Sequence, residues 1–148
     1  MDRIDRAILN EIQIDFPLDP EPYKILAERL SLPEEEVHKR IKNLRIKGII
    51  RRIGASFDSR RVGYVSTLIA MKVPSNKIEE VGHLTSQYPG VTHNYLRPGD
   101  YNLWFTLITP SVEKKEEILQ EIKDRTGIEE LMDLPSKQRF KIEVNLEV

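Results

Sequence analysis

The stretch "GVTHNYLRPGDYNLWFT", residues 90–106, decides how the second half of this chain folds. Two short runs rich in aromatic and β-branched residues flank the turn-forming residues Pro98, Gly99 and Asp100, a pattern that predicts a β-hairpin. The chain has three histidines and one tryptophan, and one of those histidines and the tryptophan lie in this hairpin. The hairpin is therefore also the first place to look for a functional site.

Side chains alternate across a strand, so the first run is expected to present an imidazole, a phenol and a guanidinium on one face. These groups belong to His93, Tyr95 and Arg97, whereas the opposite face carries Thr92, Asn94 and Leu96. The second run offers two alternating sets, which are Tyr101, Leu103 and Phe105 against Asn102, Trp104 and Thr106. The sequence leaves open which of these two sets adjoins the polar row.

Outward from the hairpin, the pattern predicts a buried strand over 65–74, helices over 76–88 and 111–127, and a closing strand over 137–148. The order β-α-β-β-α-β is that of a ferredoxin-like domain. Helices on one face of such a sheet leave the other face to be covered. We therefore expect dimerisation through the sheets.

The first half of the chain predicts three short helices. Asp2 is a plausible N-cap for the first, Pro22 occupies a favoured first position in the second, and three glutamates fill the first turn of the third. A β-rich segment from residue 49 to 58 follows. This order is typical of a winged helix-turn-helix, so we expect an α+β protein with a winged helix-turn-helix domain over 1–60 and a ferredoxin-like domain over 61–148.

Composition restricts the chemistry. The chain has 148 residues, no cysteine and a formal net charge of −1. Disulfides, thiolate metal sites and cysteine nucleophiles are therefore excluded. No apolar run approaches the length of a membrane span, so a cytoplasmic protein without a membrane partner is expected. His38 and His83 are expected to be ordinary surface residues, and the histidine spacing does not predict a protein-bound metal.

A basic third helix favours DNA binding if the helix-turn-helix is considered alone. Its cations are Lys39, Arg40, Lys42, Arg45 and Lys47. The three glutamates at the start of that helix would repel phosphate, and the start lacks side chains that commonly read base edges. We therefore interpret this domain as a retained scaffold that does not bind DNA, with a DNA-binding transcription regulator as the alternative.

Two longer patterns carry a resemblance. The segment "LAERLSLPEEEVHKRIKNLRIKGII" and the turn "GDYNLWFTL" resemble the Lrp/AsnC family of regulators over essentially the whole chain. The strings "DFPL", "RRIGASFDSRRVGY", "STLIA" and "THNYLRPGDYNLWFT" are more specifically similar to the siroheme decarboxylases, a branch of that fold. The resemblance leaves open which paralogue of the usual pair this chain matches.

The resemblance implies a carboxy-lyase that removes the C12 and C18 acetate carboxyl groups of siroheme and gives 12,18-didecarboxysiroheme. It implies that siroheme or another iron tetrapyrrole is bound as substrate and that no further cofactor is required. It also implies a paralogous subunit, or a second copy of the chain, as partner. A haem-binding subunit without catalytic activity is a third reading.

On the resemblance, the expected catalytic residues are His93 as proton donor, Tyr95 as its helper, and Arg52. Carboxylates of the substrate would be held by Arg97 and by Arg51 or Arg52. The further substrate contacts are Asn94, Tyr101 and Trp104, with Trp104 and Phe105 as an apolar wall. An alternative role for His93 is axial ligation of the substrate iron.

Overall fold

The structure is a computed structural model that describes residues 1–138, 140, 141, 146 and 148. The chain divides into two compact units, one of residues 1–55 with the described part of 141–148, and one of residues 56–140. Each unit has its own cluster of buried apolar side chains. Within the described residues, no helix is both long enough and apolar enough to cross a bilayer.

The first unit contains the three predicted helices, α1 (Arg3–Ile14), α2 (Pro22–Leu30) and α3 (Glu34–Ile46). Helix α1 begins at a capping box, in which the side chains of Asp2 and Asp5 each accept a hydrogen bond from the other residue's backbone N–H. The inward-facing residues predicted from the helical period are buried together. They are Ile8, Leu26, Val37, Ile41 and Leu44. The helix-turn-helix prediction is confirmed.

The expected β-rich wing is not present. Residues 47–64 are all described, and none of them belongs to a strand. Ile50 is buried in the helical core instead, and Ile53 packs against that core from its edge. The apolar residues that suggested a strand therefore pack against the three helices, and the backbone between them is irregular.

The second unit contains strands β1 (Val65–Met71), β2 (Val91–Leu96), β3 (Leu103–Thr109) and β4 (Leu131–Pro135), and helices α4 (Ile78–Ser86) and α5 (Val112–Thr126). A short 3-10 turn over Ser75–Lys77 leads into α4. The sheet order is β2-β3-β1-β4 and each neighbouring pair is antiparallel. The predicted order of elements and the α+β fold class are confirmed.

The fourth strand of the sheet lies in a segment for which the sequence pattern predicted no strand. Strand β4 covers Leu131–Pro135, whereas the sequence pattern favoured 137–148, a segment that lies partly outside the described residues. The sequence pattern did not predict β4 because the carboxylate of Asp133, in the middle of a short apolar run, is more typical of a loop than of a strand. In the structure that carboxylate accepts a hydrogen bond from Thr67 at 2.5 Å and pairs with Lys115, so it is compensated.

Helices α4 and α5 cover one face of this sheet. The core between the layers includes Ile69, Leu103, Phe105, Val81 and Ile122. Gly90 lets β2 approach β3 at the start of the hairpin, since a Cβ there would lie 2.3 Å from the carbonyl oxygen of Ile108. Within the described residues of this unit, no helix covers the second face of the sheet, which is called the open face here.

Candidate active site on the open face of the sheet

Strand β2 forms one edge of the sheet, and its polar row faces away from the helices. His93 lies opposite Thr106 and Tyr95 lies opposite Trp104 in the register of β2 with β3. The open-face set of β3 is therefore the one containing Trp104 and Thr106. The structure settles the alternative that the sequence left open.

The polar row consists of His93 and Tyr95 of β2 and of Arg97, which directly follows the strand. The rings of His93 and Tyr95 have centroids 6.2 Å apart and planes inclined by 32°. The guanidinium carbon of Arg97 lies 6.0 Å from the centroid of the Tyr95 ring, which is cation–π distance. All three side chains are exposed. Within the described part of the chain, none of them has a carboxylate at ion-pairing distance.

A β-bulge adjusts the strand beside the histidine. The register shifts between Val91 and His93, which leaves Thr92 as the extra residue. The hydroxyl oxygen of Thr92 lies 3.0 Å from Nδ1 of His93. Because Nδ1 is engaged, Nε2 is the ring nitrogen left for a ligand. The sequence period did not predict this contact, since strict alternation places Thr92 and His93 on opposite faces.

Trp104 forms the apolar floor next to the row. Its indole N–H donates to the carbonyl oxygen of Tyr101 at 2.6 Å, which satisfies the one polar group of the ring. The side chain is half-buried. The open face continues from Trp104 across β1 and β4 with Ala70, Leu68, Met132 and Leu134. A polar edge thus adjoins an apolar centre on the same face.

Asn94 is separated from the row. Its amide nitrogen lies 2.9 Å from three acceptors of α4, which are the Gly82 carbonyl and the hydroxyls of Thr85 and Ser86. Its Oδ1 is buried without a described partner. Asn94 therefore ties the edge strand to the helix layer and lies on the opposite face from His93. Phe105 also lies on the helix side, fully buried, so Trp104 alone of the expected wall residues reaches the open face.

Arg51 and Arg52 belong to the first unit and are both exposed. One terminal nitrogen of Arg52 donates to the carbonyl oxygen of Ala55 at 3.5 Å, whereas Arg51 lines a groove beside α3. The two adjacent arginines thus have different surroundings.

The two other histidines lie apart from the row. The His38 ring packs edge-on against Tyr23, with centroids 5.0 Å apart, and His83 is exposed on α4. No group of three or more potential metal-ligating side chains is found among the described residues.

The electrostatics of α3 differ from those of a simple basic helix. Arg40 lies 2.7 Å from Asp2, 2.8 Å from Asp5 and 2.9 Å from Glu36. These hydrogen-bonded carboxylates raise the pKa of the Arg40 guanidinium, and the Asp5 N–H, followed by Arg40, lowers the pKa of the Asp2 carboxyl. Arg40 is therefore paired with carboxylates of its own unit and contributes to the stability of that unit.

Comparison with known proteins defines the class first. A family model described as AsnC-like ligand binding domain matches residues 61–141, and one described as siroheme decarboxylase NirDL-like HTH domain matches residues 5–51. This is a two-domain protein of the AsnC type whose sheet carries an exposed polar edge.

Individual relatives narrow the class. The siroheme decarboxylase alpha subunit of Desulfovibrio desulfuricans is 49% identical over 145 residues, which cover 98% of this chain and 83% of the relative. The crystal structure of the siroheme decarboxylase NirDL is 37% identical, with a TM-score of 0.74, over 99% of this chain and 48% of that chain. A NirDL structure in complex with an iron-uroporphyrin III analogue is 40% identical, with a TM-score of 0.70, over 86% and 42%. The chain belongs to the siroheme decarboxylase family, and it spans about half the length of the NirDL chains.

Proposed function

We propose that this chain is a subunit of a siroheme decarboxylase, a carbon–carbon lyase that removes the C12 and C18 acetate carboxyl groups of siroheme. The observation that carries the proposal is the row of His93, Tyr95 and Arg97 on an exposed sheet edge beside Trp104. A proton-exchanging ring, a cation and a flat apolar surface suit a planar polycarboxylate. The names and identities of the relatives support the same function.

The chemical difficulty is the electron pair left when CO₂ departs. Protonation of a ring carbon next to the acetate makes the macrocycle an electron sink. The C–C bond then breaks, CO₂ leaves, and the electron pair forms an exocyclic methylene. Proton gain at that carbon and proton loss from the ring give a methyl group. Each carboxylate thus consumes one proton and releases one CO₂, and no oxidant or reductant is needed.

The residues of β2 have distinct roles in this scheme. His93 exchanges protons through Nε2, because imidazoles do so near neutral pH and Nδ1 is engaged by Thr92. Axial ligation of the substrate iron by the same nitrogen is the competing role. Tyr95 orients the acid, and Arg97 binds a carboxylate. Trp104 provides a low-polarity surface that disfavours the charged carboxylate relative to CO₂.

The remaining expectations for the site stay with the family resemblance. Arg51 and Arg52 are further carboxylate-binding residues, with Arg52 also in the catalytic set. Tyr101 is a substrate contact, and Asn94 acts through the strand that it anchors. The substrate brings its own iron, so the proposal needs no resident cofactor.

The apolar centre of the open face is the proposed contact with a partner subunit. Leu68 and Leu134 are 40% and 39% exposed there, which is unfavourable for two leucines unless a second surface covers them. The partner is a paralogous chain or a second copy. The polar edge and the apolar centre occupy different strands, so ligand and partner need not compete.

The decisive experiment is anaerobic incubation of the purified chain with siroheme, alone and with its paralogous subunit, followed by mass spectrometry of the tetrapyrrole. Loss of two carboxyl groups as CO₂ is expected in at least one of the two mixtures. Unchanged siroheme in both mixtures, together with salt-sensitive binding to a DNA operator, would instead identify a regulator.

A further inference from the structure

Helix α3 has a groove on each side, and the two grooves differ in charge. The groove towards α2 has a volume of about 560 Å³ and contains the cationic or titratable side chains of His38, Lys42, Arg45 and Arg51. Among the residues that the structure describes, its lining includes no carboxylate. The groove on the other side is similar in size, about 530 Å³, but its lysines Lys39 and Lys47 share it with acidic residues. We call these the cationic groove and the mixed groove.

The helical period explains the difference. His38, Lys42 and Arg45 are spaced i, i+4 and i+7, so they lie along one stripe of α3, and Arg51 adds a fourth basic side chain from the following segment. Among the residues that the structure describes, none of these four has a carboxylate at ion-pairing distance. Repulsion between unpaired like charges is a cost that a bound anion would remove.

The cationic groove also has an apolar part. Tyr23, Ile46 and Ile50 belong to its lining, and Ile46 is 74% exposed. Cations beside aliphatic and aromatic side chains suit a ligand with an apolar body and carboxylates at its margin. The volume lies within the range of small-molecule sites. A phosphate backbone would supply the negative charge but has no apolar part for these side chains, and the three glutamates in the first turn of α3 oppose it.

We propose that the cationic groove is a carboxylate-binding site for the margin of a polycarboxylated tetrapyrrole. The inference rests on the proposed function and adds a ligand site within the first unit, for which Lys42 and Arg45 are new residues. It also places Arg51 among the residues of this groove, whereas one terminal nitrogen of Arg52 donates to the Ala55 carbonyl.

The test uses iron-uroporphyrin III as the probe and titrates it into the full chain, with binding followed by absorbance. A double variant, Lys42→Gln with Arg45→Gln, is compared with a matched one, Lys39→Gln with Lys47→Gln, which removes the same charge from the mixed groove of the same helix. We expect the first variant to raise Kd about tenfold or more and the second to change it less than about twofold. Circular dichroism checks that both variants keep the helical content of the wild type.

Four results would overturn the inference. Equal Kd values for both variants and the wild type would exclude the cationic groove as a binding site while leaving the proposed function intact. Equal weakening by both variants would indicate net charge rather than a site. Failure of the wild-type chain to bind the probe, with or without its paralogue, would refute the proposed function as well, and binding to a DNA duplex that only the first variant weakens would assign the groove to DNA.

Discussion

The two edge strands of the sheet, β2 and β4, are built alike on one face and differently on the other. Each is tied to the helix layer by one polar side chain, β2 through Asn94 to α4 and β4 through Asp133 to Lys115 of α5. On the open face, β2 presents His93 and Tyr95 whereas β4 presents Met132 and Leu134.

This difference separates anchoring from function. The anchoring side chains on the helix face make their hydrogen bonds within the unit, whereas the open-face side chains are left for something outside the unit. A polar row on one edge fits a ligand with proton chemistry, and an apolar row on the other fits a protein surface. One sheet can therefore carry both roles without a cavity enclosed inside it.

The largest expected effect tests whether the β2 edge performs chemistry. We expect His93→Ala to lower kcat for siroheme by about 10²–10⁴-fold, the usual contribution of a general acid. Product formation by chromatography measures it. The matched control is His83→Ala, which removes an exposed histidine from α4 and should retain wild-type turnover. Full activity in His93→Ala would place the chemistry elsewhere.

The second prediction compares the two anchors. Asp133→Ala leaves the mostly buried Lys115 ammonium and the Thr67 hydroxyl without their acceptor, so we expect a loss of about 1.5–3 kcal/mol in the free energy of unfolding. Urea denaturation measures it.

For the other anchor, Asn94→Ala removes hydrogen bonds from a neutral amide and should cost about 1 kcal/mol. It should nevertheless lower turnover more than Asp133→Ala does, because Asn94 lies between His93 and Tyr95. The reverse order of turnover would mean that the two edges are not specialised as argued above.

The third prediction concerns the apolar side chains that β4 presents on the open face. Leu134→Lys places a charge on the open face of β4 and should raise the dissociation constant of the assembly at least about tenfold. Analytical ultracentrifugation measures the oligomeric state. Leu18→Lys, at a fully exposed position of the first unit, is the control and should leave assembly unchanged. Identical sedimentation of the two variants would argue against a partner on this face.

The smallest expected effect concerns Asp2, an exposed carboxylate that is compared here with the half-buried carboxylate of Asp133. In the first unit, the pKa of Asp2 is lowered from its ordinary 3.8 by the Asp5 N–H and by Arg40. Because the folded-state pKa is depressed, the stabilisation is present above the unfolded value and is lost as pH falls through the folded one. Asp2→Asn should therefore show a weaker dependence of unfolding on pH below about pH 4 than the wild type. Parallel acid-unfolding curves by circular dichroism would contradict this.

Much of the fold was predictable because the relevant signals are local. Caps, first-turn charges and the 3.6-residue period identified α1 to α3, and the alternation in residues 91–109 identified the hairpin. The prediction of a β-rich wing was wrong because Ile50 and Ile53 are residues typical of strands but pack on the helices of the first unit. Strand β4 was not predicted because Asp133 interrupts the apolar run. Its carboxylate is compensated by contacts with Thr67 and Lys115, which are distant in sequence.

Local sequence patterns were enough to predict the β-α-β-β-α-β order, the helix-turn-helix and the polar row of His93, Tyr95 and Arg97, since each depends on the period of neighbouring residues. The folded chain was needed to show that Trp104 adjoins this row, that Thr92 engages Nδ1 of His93, and that Asn94 faces α4. These depend on strand register and on a bulge, which are set by packing between segments distant in the chain. The charge of the grooves beside α3 was likewise decided by folding, because Asp5 of α1 lines one groove and Arg51 of the following segment lines the other.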